Sequence, residues 1–136
     1  GTEAGPQLRH PVVDYAKWVI RHGREDTGMP AFSTDQVTER QLGEIFAWLV
    51  SFERPTAGQQ IYEVYCAHCH GADGRGGTVG QDVQHAAGHA AEIFEYVRNG
   101  AGGNDFGSRY DYMPRWSDRE LSDTDIQLVV DYLSRL

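Results

Sequence analysis

The sequence predicts an all-α protein, and three observations carry that prediction. Apolar residues recur at three- and four-residue spacing in five separate stretches. Glycine- and proline-bearing segments of the kind that end helices separate them. No stretch alternates apolar and polar residues as a half-buried strand would.

The elements follow in order. Residues 1 to 10 are polar, carry Gly and Pro, and read as loop. Pro11 suits the first turn of a helix whose apolar positions are Val12, Tyr15, Ala16, Val19 and Ile20, closed by Gly23. Residues 24 to 37 break the pattern around Gly28-Met29-Pro30. Thr38 and Gln41 form a capping-box signature for a second helix running to about Phe52, with Leu42, Ile45, Phe46 and Leu49 on one face. Residues 53 to 57 (Glu-Arg-Pro-Thr-Ala) read as a connector. Gly58 to His70 suits a third helix, and His89 to Asn99 a fourth, ended by Gly100. Ser122 and Asp125 cap a last helix with Ile126, Val129, Val130 and Leu133 on its face. The expected division is residues 1–52, a connector at 53–57, and a domain at 58–136.

Charge narrows the classes of function. The net charge is −8, with five basic and seven acidic side chains in residues 1–52 and seven and thirteen in residues 53–136. Nucleic-acid binding needs a basic stripe, which is absent here. Lys17 is the only lysine, so a partner is expected to offer a basic or apolar docking surface. No apolar run approaches the roughly 18 residues that span a bilayer. The chain opens at Gly1-Thr2 without an initiator Met or a signal-like segment, so any signal or anchor is expected to have been removed or to lie upstream.

Cys66-Ala67-His68-Cys69-His70 carries the chemistry. Cysteines at i and i+3 with a histidine at i+4 fall on one stripe of a helix, so two thiols and an imidazole can meet one flat ligand. That spacing is the rule for covalent attachment of c-type haem, with two thioethers and His70 as proximal iron ligand. His68 is expected on the opposite side of the helix, and His10 and His22 on the surface. Two other readings of the cysteines exist. Zinc could take Cys66 and Cys69 with His85 and His89, and a redox Cys-x-x-Cys would need a preceding βαβ pattern.

Residues 57–136 resemble a small bacterial class I cytochrome c. Gly58 and Tyr62 stand eight and four residues before Cys66, where that family crosses its first and last helices, and Tyr132 matches the aromatic of the last helix. Gly80-Gln81-Asp82-Val83 occupies the place of the family's Gly-Pro-x-Leu, and Tyr112-Met113-Pro114 resembles its sixth-ligand motif. The resemblance implies a helical fold around one covalent haem c. It further implies haem contacts from Val83, Tyr112 and Trp116, and Met113 as sixth ligand in a loop that Pro114 holds extended. His85 and His89 are the alternative sixth ligands, and Met113 could instead serve as core packing.

The first part of the chain repeats the second. Val19-Ile20-Arg21-His22-Gly23 parallels Tyr96-Val97-Arg98-Asn99-Gly100; at an offset of 84 residues Met29-Pro30 falls on Met113-Pro114 and Trp48-Leu49 on Tyr132-Leu133. Gly5-Pro6-Gln7-Leu8 reproduces Gly-Pro-x-Leu, yet no attachment motif precedes it. The first part therefore reads as an incomplete cytochrome c-like lobe: a shortened dihaem protein, a haem-free remnant, or a lobe completed by another chain. Its apolar stripe is expected to be covered by the second lobe, a second subunit or an upstream segment. The expected role is electron transfer by a Met/His-ligated haem, as a carrier or as a subunit of a larger respiratory oxidoreductase in the periplasm, without catalysis of its own. A sensor or catalytic haem with a displaceable Met113 is the alternative.

Overall fold

The computed structural model describes residues 8–24, 27–76, 80–108 and 110–136. It is all-helical: among the described residues strand pairing is confined to two isolated bridges, Arg24 with Met29 and Ala101 with Met113. The chain forms two compact units, Gly1–Glu53 and Arg54–Leu136. No described helix is long and apolar enough to cross a membrane.

Unit 1 holds α1 (Val13–His22) and α2 (Glu39–Val50). Helix α1 starts two residues later than Pro11 suggested, because Val12 keeps extended backbone as its N-cap. Helix α2 begins with a complete capping box, the Thr38 hydroxyl accepting from Gln41 N–H and the Gln41 side chain accepting from Thr38 N–H. Gly5-Pro6-Gln7 lies outside the described residues.

Unit 2 holds α3 (Gly58–Tyr65), α4 (Ala67–His70), a 3₁₀ turn (Gln84–His89), α5 (Ala90–Asn99) and α6 (Asp123–Leu133). The helix expected over Gly58 to His70 is broken at Cys66, whose φ of −121° and ψ of −40° depart from helical backbone. Its most extensive helix contact is α3 against α6. Gly58 makes that contact close: a Cβ there would lie 2.1 Å from the Leu128 carbonyl oxygen. One turn on, the Tyr62 ring packs tilted on Tyr132, with centroids 5.5 Å apart. Ile61 and Tyr62 complete the core from α3, and Ile126, Val129, Val130 and Leu133 from α6.

The two units share a detailed pattern of bonds. Gly23 ends α1 with φ 71° and donates to Val19 O; Gly100 ends α5 with φ 65° and donates to Tyr96 O, each at 2.7 Å. Both lie in the left-handed region that favours glycine. Each is followed by its single bridge to a methionine. Phe32 N–H donates to Ile20 O as Trp116 N–H does to Val97 O. The Arg21 guanidinium reaches the Phe32 and Ser33 carbonyls and Glu39; that of Arg98 reaches the Trp116 and Leu121 carbonyls and Asp123. Ser122 and Asp125 repeat the capping box on α6. Leu42 and Ile126, each 2% exposed, occupy matching core positions.

Candidate haem-attachment cleft

Unit 2 contains a cleft of about 360 Å³ bounded by α3–α4, the loop at residues 80–83, α5 and the loop at residues 110–114. That size is within the range of about 300–1,000 Å³ usual for small-molecule and cofactor sites. Cys66, Cys69 and His70 line it together, as do Val83, Tyr112 and Met113. His68 also lines it while remaining exposed, contrary to the expectation that it would face away. Trp116 is buried edge-on to Tyr65 with ring centroids 5.1 Å apart, and Tyr65 lines the cleft.

His70 is oriented by its own loop. Its Nδ1 lies 2.7 Å from the Gln81 carbonyl oxygen. A carbonyl can only accept, so Nδ1 carries the proton and the Nε2 lone pair is left for a ligand. Gln81 therefore serves through its backbone where the cytochrome resemblance expects proline. Gly80 permits the approach, since a Cβ there would lie 2.6 Å from Cys69 O and 3.0 Å from His70 Nδ1. The loop is pinned elsewhere by Gly76 N–H to His70 O at 2.8 Å and Val83 N–H to Gly74 O at 2.7 Å. The Tyr62 hydroxyl donates to Gly71 O at 2.7 Å, tying α3 to the end of the attachment segment. Burial, above all, raises the Tyr62 pKa, which keeps that hydroxyl protonated.

Neither cysteine is in a disulfide. Burial, and secondarily Cys69, pushes the Cys66 thiol up to about 12, which is unlike the depressed pKa of a redox-active Cys-x-x-Cys. The zinc arrangement does not form: His85 and His89 are exposed and do not line the cleft. Among the described residues no three His, Cys, Asp or Glu side chains converge as a metal group. His89 lies 3.8 Å from Glu92 instead.

Met113 is half-buried and held in place by paired backbone bonds with Ala101, 2.9 and 3.0 Å long. Tyr112 is buried, with Phe106 edge-on at 5.1 Å. Ile93 and Tyr96, three apart on α5, add to the lining, as do Tyr110 and Pro114. The helical spacing of Ile93 and Tyr96 puts both on one face of α5. The exposed carboxylates Asp82, Glu92 and Asp111 make the lining acidic. Of the remaining histidines, His22 is exposed and stacks on Trp18. His10 is half-buried with φ 47°, a difference from its expected surface position.

An all-helical fold with both cysteines and the histidine of a Cys-x-x-Cys-His on one cleft wall defines a c-type cytochrome. A family profile described as cytochrome c oxidase, cbb3-type, subunit III matches residues 53–133, and the chain belongs to that family. Similar proteins include the Cbb3-type cytochrome c oxidase subunit CcoP of Rhodobacter capsulatus, 27% identical over 146 residues, covering 86% of this chain and 46% of that protein. The protein of the same name from Azospirillum brasilense is 27% identical over 132 residues, covering 84% of this chain and 42% of its own length. The chain thus spans a little under half the length of these relatives, and the aligned share exceeds unit 2 alone. No solved structure matches the chain.

The family implies covalently bound haem c, and the residues present fit it: two cysteines outside any disulfide, an imidazole with one nitrogen already engaged, and an aromatic and aliphatic lining.

Proposed function

We propose that this chain transfers electrons as part of a cbb3-type cytochrome c oxidase, through one haem c that Cys66 and Cys69 would hold covalently and whose iron His70 and Met113 would ligate. The observation that carries the reading is the His70 Nδ1 contact to the Gln81 carbonyl, which leaves Nε2 directed to ligation in a cleft that Met113 also lines. Haem c bound there supplies an iron that alternates between ferrous and ferric states.

The chain's residues do the rest. Thioethers from Cys66 and Cys69 retain the group in both redox states. The Gln81 carbonyl fixes the imidazole plane and increases its basicity. The Met113 thioether, a soft ligand, favours the reduced state and raises the potential. Val83, Ile93 and Tyr112 keep water from the metal, so little has to reorganise when the charge changes. Attachment of haem to such motifs takes place outside the cytoplasm, which supports a periplasmic position for unit 2.

The ligand assignment is tested with Met113→Ala. The oxidised wild-type protein should show the weak red-edge absorption band of a sulfur–ferric bond, and the variant should lose it and bind carbon monoxide readily when reduced. An unchanged spectrum would remove Met113 from the iron. Carbon monoxide binding by the wild type would favour the displaceable-ligand alternative. Acid-acetone extraction should leave the colour with the protein, whereas release of free haem would overturn covalent attachment.

A further inference from the structure

Met113 sits between the end of α5 at Asn99 and the start of α6 at Asp123, in a stretch that forms no helix among the described residues. Its place at the cleft depends on what fastens that stretch. The backbone ties it to α5 through the paired bonds of Met113 with Ala101 and through Trp116 N–H to Val97 O at 2.8 Å. Past Trp116 the backbone bonds are local: Ser117 N–H and hydroxyl donate to the Glu120 carboxylate, and the Glu120 and Leu121 N–H groups donate to Ser117 O. They shape a turn without fastening it to α5. The Arg98 side chain does fasten it. Its Nη1 donates to Trp116 O at 3.0 Å and to Leu121 O at 2.8 Å, its Nη2 to Asp123 Oδ1 at 2.5 Å, and its Nε lies 3.2 Å from Asp118 Oδ1. These partners run from shortly past Met113 into the first turn of α6.

We infer that Arg98 is the positioning residue for Met113: it locks the 116–123 segment onto α5, so that the Ala101–Met113 bridge stays closed and the thioether stays presented to the cleft. Arg98 is not among the residues that line the cleft, so it acts through the loop and not on the cofactor. A methionine thioether is a neutral, soft ligand, and the loop that carries it has to keep it in place. A guanidinium suits that task because its donors lie in one rigid plane and its charge is not lost at working pH. Its bonds to the two carbonyls are charge-assisted and stronger than neutral ones. Both are partly buried, where losing the donor leaves an acceptor unsatisfied. All of these contacts lie within unit 2. The inference rests on the reading of Met113 as sixth ligand.

The test uses the haem-loaded full chain and three substitutions. Arg98→Gln removes the charge and most of the donors, and Arg98→Lys keeps the charge but loses the planar fork. Ser122→Ala removes the cap of α6 and lowers the stability of unit 2 while leaving Arg98 and its partners in place. In the Arg98 variants the Ala101 and Met113 amides should exchange faster by about tenfold or more, and the reduced protein should bind carbon monoxide faster by about the same factor. The sulfur–ferric band should weaken in parallel. Arg98→Lys carries the test where Arg98→Gln is too unstable to take up haem. Ser122→Ala should unfold at lower denaturant concentration with band, carbon monoxide rate and amide exchange at Met113 unchanged. An Arg98 variant that loads haem and keeps wild-type values for all three overturns the inference. So does a Ser122→Ala variant that departs from them as far, because loss of stability alone would then suffice. A wild-type protein without the sulfur–ferric band is a different failure: it removes Met113 from the iron, and both readings fall with it.

Discussion

Gly80 lies so near the attachment segment that one methyl group tests the site. In Gly80→Ala the new Cβ would meet Cys69 O at 2.6 Å and His70 Nδ1 at 3.0 Å, so the backbone or the ring must shift. The expected cost is about 1–3 kcal/mol. A shift in the haem absorption bands should accompany it, because the imidazole must rotate away from the Gln81 carbonyl. Denaturant unfolding and visible spectroscopy measure the two effects, and a stable protein with an unchanged spectrum would show that the loop relaxes instead. Glu39 offers a second test at this scale. Hydrogen bonds from Lys17 and then Arg21 hold its pKa below the ordinary carboxylate value. A depressed folded pKa means that the bridge stabilises the protein above the unfolded value of 4.5 and that this contribution is lost as pH falls through the folded pKa. The stability difference between wild type and Glu39→Gln should therefore shrink as pH falls below 4.5. It is a small difference throughout, since the carboxylate is exposed. A difference that grows on acidification would reverse the assignment.

At the scale of elements, two helical glycines make a contrast. Gly58 sits where α3 crosses α6, and a Cβ would collide with Leu128 backbone atoms at 2.1 and 2.8 Å. Gly58→Ala should destabilise unit 2 by about 1–3 kcal/mol or more, since two main chains must separate. Gly43, inside α2, meets nothing within 4 Å. Gly43→Ala should stabilise by about 0.5–1 kcal/mol through helix propensity alone. Thermal unfolding of the pair measures both, and effects of the same sign would contradict the crossing geometry.

For the whole molecule, two units with similar bonding raise the question of how many haems one chain carries. In unit 1 the bridge to Met29 is made by Arg24, whose guanidinium lies against the Tyr15 ring and hydroxyl, and no cysteine is present. Without thioethers or a proximal histidine, a haem there would be held by one soft bond and apolar contact. Iron quantification should give a value near one per chain, and a value near two would refute this.

Much of the local structure was legible because short-range physics specifies it. The capping boxes of Thr38 with Gln41 and Ser122 with Asp125 involve residues three apart, and their side chains satisfy helix N–H groups wherever the helix ends up. The repeated left-handed glycines and the helical stripes were readable for the same reason, so the all-α class could be inferred from sequence alone. Cys66, Cys69 and His70 stood on one stripe by spacing. Tertiary structure decided the rest. Periodicity says that Ile93 and Tyr96 share a face, not that the face borders the cleft. Aromatic character did not tell that Trp116 would pack edge-on against Tyr65. The acceptor for His70 is a main-chain carbonyl, which every residue has and no side chain announces. The stripe of Leu42, Ile45, Phe46 and Leu49 looked continuous in sequence, yet the fold buries Leu42 and Phe46 and leaves Ile45 exposed. Apolarity records that a surface gains by leaving water, and only packing determines which neighbour removes it.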